Sequence, residues 1–288
     1  MNTYFKLLKF GQQELKTARI DNPQLESELL LTAAFQITKA KLLQELNTPL
    51  SGPLQKKKAK TFYKYLNQRK TKMPIAYILG NFHFRNHQYQ IQKKVFIPRP
   101  ETELLVEKCL EVIQQKAMTI IEIGFGSGVI GIELALACPK SQVFAWDISK
   151  KAYQTAMINA KNLGCKNIHF YNEDFYKSSA LKKLIKEQEN TLIVSNPPYI
   201  PNIDVQGLDA DVRLYEPQRA LKGGKKGLNI YKKIFRLFQE KNLPIVLEIG
   251  INQKYDLEKM LVKYNYNLFE FFKDYNGIDR MLKTVILN

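Results

Sequence analysis

Apolar positions in the first quarter of the chain recur at helical spacing: Leu25, Leu29, Leu30 and Ala33 make one set, and Leu42, Leu43 and Leu46 another. Such spacing puts them on single faces of helices. Asn22-Pro23, Thr48-Pro49, Gly52-Pro53 and Pro74 punctuate the pattern, because proline and glycine stop or start helices. The pattern predicts a small helical domain over residues 1–74. Between Ile75 and Phe96 it changes to short β-type runs, Tyr77–Leu79 and Tyr89–Ile91, which predict a β-hairpin linker over residues 75–96.

From Ile97 to the C-terminus, residues 97–288 read as one larger domain. Strand patterns at Thr119–Ile123, Gln142–Trp146, Ile168–Tyr171 and Leu192–Ser195 alternate with helical patterns at Val129–Ala137, Lys151–Leu163 and Leu181–Gln188. That alternation predicts an α/β fold, a parallel sheet wound by right-handed crossovers, with ligands at the carboxyl ends of its strands. Further on, Tyr231–Gln239 and Gln253–Lys263 read as helices and Ile245–Ile249 as a strand. Two last strand-like runs, Leu268–Lys273 and Met281–Leu287, are joined through Asn276 and Gly277. An antiparallel hairpin at the end of the sheet departs from a dinucleotide-binding fold and points to the Rossmann-like methyltransferase variant.

Composition adds little against this picture. Hydrophobic residues make up 45% and charged residues 25% of the 288 positions, as in ordinary globular proteins. The longest apolar stretches, such as Leu29–Phe35, fall far short of the roughly 20 residues of a membrane span. Lys6 and Lys9 interrupt the N-terminus before a signal-like segment develops, so no membrane association and a cytoplasmic location are expected. Cys109, Cys138 and Cys165 are odd in number and widely spaced; they read as buried thiols, without disulfide or metal. His83, His87 and His169 show no ligand spacing. A formal charge of +17 favours acidic partners, although Lys56–Lys60, Lys64 and Lys72 fit equally the solvated face of a helix. A monomer is expected.

The candidate chemistry sits where the strands end. After Thr119–Ile123 come Gly124, Phe125, Gly126, Ser127 and Gly128, glycines that permit a tight turn and close approach of backbone to a cofactor. Gly126, Gly128 and Gly131, with Asp147 further on, also satisfy a dinucleotide spacing. The loop, however, begins at Gly124, and in that register the third glycine position is Val129. Glu122 would repel a pyrophosphate and attract a sulfonium or ammonium group. Asp147 ends the next strand, where a carboxylate can accept from both hydroxyls of a ribose or cap a helix. After the third strand, Phe175 can cover an adenine and Asp174 can hold its amino group.

The sharpest feature is Asn196-Pro197-Pro198-Tyr199, directly after the fourth strand. An amide nitrogen is a poor nucleophile because its lone pair is delocalised into the carbonyl. If the Asn196 side-chain oxygen and the Pro197 carbonyl each accept one N–H, the nitrogen is held with its lone pair aimed at a methyl donor. The prolines stiffen the loop, and Tyr199 can pack on the planar amide.

These segments together resemble the HemK/PrmC family, the protein-(glutamine-N5) methyltransferases of peptide-chain release factors. The resemblance also rests on Pro74–Gly80 with Phe84, on Phe96–Glu103, on Asp211–Arg213 with Glu216 and Pro217, and on Ala220–Gly227. Glu248–Gly250 with Gln253, and Asp274–Arg280, complete it. It implies S-adenosylmethionine held by Glu122, Gly124–Gly128, Asp147, Asp174, Phe175 and Asn196. It further implies release factors as partners, possible proximity to the ribosome, and a substrate glutamine from a Gly-Gly-Gln loop received at Asn196, Pro197, Pro198 and Tyr199. The helical domain then serves substrate recognition. Within the family pattern Glu122 stands where aspartate is more usual, and Phe175 where tryptophan often occurs. The alternative from the residues alone is adenine-N6 methylation of DNA or RNA, since that exocyclic nitrogen is also a conjugated amine; no inserted target-recognition region accompanies it here.

Overall fold

The structure, a computed structural model, describes residues 2–188, 190–241 and 243–284. In chain order the elements are β1 (Asn2–Thr3), α1 (Tyr4–Thr17), α2 (Pro23–Phe35), α3 (Lys39–Gln44), β2 (Pro49–Leu50), α4 (Pro53–Lys70), α5 (Ile75–Leu79), β3 (Asn81–Phe84) and β4 (His87–Gln90). There follow α6 (Glu101–Ile113), β5 (Thr119–Ile123), α7 (Val129–Ala137), β6 (Gln142–Trp146), α8 (Lys150–Asn162), β7 (Ile168–Tyr171), α9 (Ser179–Glu187) and β8 (Thr191–Ser195). The chain continues through α10 (Ala210–Tyr215), α11 (Gln218–Leu221), α12 (Asn229–Phe238), β9 (Ile245–Glu248), α13 (Lys254–Lys263), β10 (Phe269–Lys273) and β11 (Asp279–Thr284). Residues 285–287 of the expected last strand lie outside the described residues. Contacts divide the chain into two compact units, one of residues up to Asn81 with Asp209–Tyr215, the other of Phe82–Leu208 with the residues from Glu216 onward.

The first unit packs α1, α2 and α4 around Leu7, Leu15, Leu30, Leu31, Phe35, Phe62 and Leu66. The helices cross closely at Gly11, where an added Cβ would meet Ser27 Oγ at 2.4 Å and Phe62 at 2.7 Å. That crossing decides which face of α2 is buried. Ser27, Leu30, Leu31 and Ala34 turn inward, while Leu25 and Leu29 are exposed, as is Leu43. Of the residues at helical spacing, Leu30 is buried and Ala33 half-buried, and α2 is apolar enough all round to offer more than one face. Arg69, only 7% exposed, holds Glu26 with a forked pair of hydrogen bonds at 2.5 and 3.1 Å. Tyr215 on α10 donates to the Thr71 carbonyl at 2.8 Å, fastening the late segment to the end of α4. The unit is not purely helical, for β1 and β2 form a short antiparallel pair.

Tyr77–Leu79, expected as a strand, lie in α5 instead; Pro74 supplies the opening carbonyl for the Tyr77 and Ile78 N–H groups. A five-residue apolar run carries no periodicity that separates helix from strand. The hairpin itself is β3–β4. Buried Glu133 on α7 receives Tyr89 OH at 2.6 Å and His87 Nδ1 at 2.8 Å, and Asn159 on α8 bonds both the N–H and the carbonyl of Gln90.

The second unit is built on a seven-stranded sheet in the order β10-β11-β9-β8-β5-β6-β7. Strands β9, β8, β5, β6 and β7 run parallel, and β11 is antiparallel to both β9 and β10. Every residue of β5, β8 and β9 is buried, as expected for strands covered on both faces. One face packs on Phe235, Phe238, Leu257 and Leu261, the other on Leu105, Val106, Ile132 and Leu134. The chain leaves β5 toward β6 and β7, then returns on its other side through β8 and β9, so the order reverses between β5 and β8. That switch point opens a crevice at the carboxyl ends of the strands. Of the three free cysteines only Cys109 is buried; Cys138 and Cys165, expected inside, are partly exposed.

Candidate active site

Five strand ends meet the crevice. β5 runs into the glycine loop, where Gly124, Gly126 and Gly128 have φ of +78°, +55° and +86°, a region an L side chain enters only at a cost. A Cβ at Gly124 or Gly126 would meet nothing within 4 Å, so the loop presents bare backbone to open space. Phe125 turns its ring into the core against Phe170 at 4.9 Å. The Ser127 carbonyl accepts from Asn159 Nδ2 at 2.9 Å, while its buried Oγ has no partner among the described residues. Asn159 thereby ties the hairpin to the loop.

Asp147, at the end of β6, accepts the Gly126 N–H at 2.9 Å and the Ser149 N–H at 2.8 Å. It shapes the loop, and its two oxygens keep lone pairs for further donors. Burial raises its pKa; the two N–H groups and the charge of Arg219 oppose the rise. Beyond β7, Asp174 Oδ1 accepts the Tyr176 N–H at 3.0 Å, and Phe175 is 8% exposed within the core cluster that includes Trp146.

Glu122 lies differently from its expected place as a charge facing a cation. Alternation along β5 points it beneath α7, with Oε2 2.3 Å from where a Gly131 Cβ would be. Neither oxygen has a hydrogen-bond partner among the described residues. Burial pushes its pKa up to about 8; the nearby Gly131 N–H, which falls outside hydrogen-bond geometry, opposes the rise, and Asp147 adds to it. At neutral pH the group is largely neutral, because a buried unpaired carboxylate is costly.

The loop after β8 carries Asn196, Pro197, Pro198 and Tyr199. Asn196 Nδ2 donates to Thr102 Oγ1 at 3.1 Å, Thr102 Oγ1 donates to Glu248 Oε2 at 2.8 Å, and Tyr199 OH donates to Glu248 Oε1 at 3.1 Å. No donor among the described residues reaches Asn196 Oδ1 or the Pro197 carbonyl. Glu248 ends β9 and is 1% exposed; burial pushes it up to about 7, against the opposing pull of Thr102, Tyr199 and the Arg280 charge. Burial likewise raises the Tyr199 phenol, which stays protonated.

The rest of the loop is clamped from two sides. Gln253 Nε2 donates to the Tyr199 carbonyl at 2.9 Å while its Oε1 accepts the Gly250 N–H. The Ile200 N–H reaches the Leu221 carbonyl, and the Gly223 N–H reaches Ile200. Arg99 Nη2 donates to buried Glu216 at 2.6 Å, linking the segment before α6 to the segment before α11. Thr102 and Glu248 were not among the expected site residues. Glu248 obeys the strand-end rule that located Asp147 and Asn196, and could have been found by it; Thr102 carries no such signal.

The chain is similar to known proteins over nearly its whole length. The profile of the PrmC N-terminal domain matches residues 6–80, and that of the methyltransferase small domain matches residues 100–224. A release factor glutamine methyltransferase of Clostridium botulinum is 36% identical over 283 residues, covering 96% of this chain and 97% of its own. The chain belongs to the release factor glutamine methyltransferase family. The Bacillus subtilis member of this family is 34% identical, with 99% of each chain covered. Among solved structures, the hMettl16 catalytic domain shares the fold with a TM-score of 0.55 over 80% of this chain and 81% of that one, at 13% identity. Among the described residues no helix is long and apolar enough to cross a membrane, and no cluster of acidic, histidine and cysteine side chains could hold a metal.

Proposed function

We propose that this protein transfers the methyl group of S-adenosylmethionine to the side-chain amide nitrogen of the glutamine in the Gly-Gly-Gln loop of peptide-chain release factors. The observation that carries the reading is a pair of acceptors that no donor among the described residues reaches, Asn196 Oδ1 and the carbonyl of buried Pro197, on a loop fastened by Gln253 and Glu248. Two acceptors suit a primary amide, which has two N–H groups to give, and aim its nitrogen lone pair out of the amide plane.

The bare backbone at Gly124 and Gly126 fits a cofactor that must approach the main chain closely. Asp147 has lone pairs for ribose hydroxyls, the other oxygen of Asp174, which no donor among the described residues reaches, can take an adenine amino group, and Phe175 follows it in the chain. Glu122 lies buried under Gly131, with burial raising its pKa. When bound, S-adenosylmethionine supplies an electrophilic methyl group on sulfur. Asn196 and Pro197 draw the amide N–H groups toward them, which raises charge density on nitrogen and fixes its direction. Tyr199 walls the amide plane, and the proton leaves to solvent once the nitrogen is cationic, so no strong base is needed.

The helical unit is read as the part that recognises the release factor. Lys60, Tyr63, Lys64, Asn67, Gln68 and Thr71 line an open groove of about 550 Å³ along α4, a basic and aromatic surface suited to an acidic partner. Peptide mass spectrometry of a release factor incubated with the protein and the methyl donor tests the reading. One added methyl on the Gly-Gly-Gln peptide is expected, and methylation confined to other peptides contradicts it.

A further inference from the structure

The amide of Asn196 has two ends of nearly equal size, and only its oxygen can receive an N–H. Nothing in the Asn196 side chain itself selects which end faces the crevice. The selection comes from two residues behind it. A carboxylate has only acceptors, so Thr102 Oγ1, at 2.8 Å from Glu248 Oε2, gives its single hydrogen to Glu248. The same hydroxyl oxygen, 3.1 Å from Asn196 Nδ2, is then left only as an acceptor. Asn196 must turn its NH2 toward Thr102, and Oδ1 faces outward. Glu248 holds Tyr199 through its other oxygen, so one buried carboxylate orients both polar side chains of the loop.

We infer that Thr102 and Glu248 are positioning residues that fix the orientation of the Asn196 amide and thereby set the preference of the site for a side-chain amide over a carboxylate. This deepens the reading of the site as an amide-binding pair and rests on it. Both residues are buried, each 1% exposed. With Thr102→Val the directional link is gone; the amide can rotate by half a turn about its last torsion and offer NH2, a donor that suits a carboxylate. Glu248→Gln acts from further back. Its new NH2 can donate to Thr102 Oγ1, releasing the Thr102 hydrogen toward Asn196 and reversing the chain. Thr102→Ser keeps the hydroxyl and the order of donors.

The test is calorimetric binding, without methyl donor, of two synthetic peptides to the full chain at pH 8, above the Glu248 pKa of about 7. One peptide carries Gly-Gly-Gln and the other Gly-Gly-Glu. Wild type and Thr102→Ser are expected to prefer the glutamine peptide by about tenfold or more, the scale of one or two unsatisfied buried acceptors. Thr102→Val and Glu248→Gln, with thermal unfolding confirming that each is folded, are expected to lose most of that preference, chiefly by binding the glutamate peptide better. If one of the two fails to fold, the other carries the same comparison. A folded Thr102→Val or Glu248→Gln that keeps the wild-type ratio overturns the inference. A wild type that does not distinguish the peptides overturns the amide-binding reading beneath it.

Discussion

Gln253 donates to the Tyr199 carbonyl at 2.9 Å across 54 residues of chain, and its own oxygen accepts the Gly250 N–H. The side chain bridges the loop after β8 to the turn after β9, so the Asn196 loop is held at its far end as well as at Asn196. Gln253→Ala leaves a Tyr199 carbonyl and a Gly250 N–H without partners, a loss of about 1–3 kcal/mol in stability. Denaturant unfolding should show that loss, and kcat/KM should fall by about tenfold, since small misplacement of reacting groups costs rate.

Removing the open acceptor itself acts on chemistry. Asn196→Ala should lower kcat by about 100-fold or more, the scale for deleting one preorganised electrostatic partner of a reacting group. Cofactor affinity measured by calorimetry should change little. Loss of both together, with loss of fold, would point to a structural role for Asn196.

The glycine loop makes a separate prediction. At φ +55° a side chain at position 126 is strained and stands in the space in front of the loop. Gly126→Ala should cost about 1 kcal/mol of stability, yet weaken S-adenosylmethionine binding by about tenfold or more. Equal cofactor affinity in the variant would remove the loop from the cofactor site.

Glu122 makes stability depend on pH. Its folded pKa, about 8, is raised above the ordinary 4.5, so between those values the folded state binds more protons than the unfolded one. Stability must then fall as pH rises. The contribution of Glu122 is full below about pH 4.5 and is lost as pH rises through about 8. Urea midpoints from pH 5 to 9 should decline for wild type more steeply than for Glu122→Gln, and the variant should be the more stable at pH 9. Parallel profiles would contradict the buried, unpaired state of the carboxyl.

Much of this arrangement was legible because strand-end placement is a local consequence of alternation. The strand spans Thr119–Ile123, Gln142–Trp146 and Ile168–Tyr171 are as the pattern predicts, and Leu192–Ser195 falls within β8; with the first, second and fourth come the positions of Gly124, Asp147 and Asn196. Tyr77–Leu79 were misread because a short apolar run is silent on period. Which face of α2 is buried is not legible in its own spacing, because the Gly11–Ser27 crossing that selects it joins two helices. Thr102 and Glu248 lie 146 residues apart, and no spacing rule couples them. The attachment of Asp209–Tyr215 to the helical unit is equally non-local.

The central claim is tested most directly by transfer of labelled methyl from S-adenosylmethionine to a purified release factor, beside its Gln-to-Glu variant in the Gly-Gly-Gln loop and beside DNA and RNA. The account predicts label on the wild-type factor alone. Label on nucleic acid, or equal label on the Gln-to-Glu factor, would contradict it.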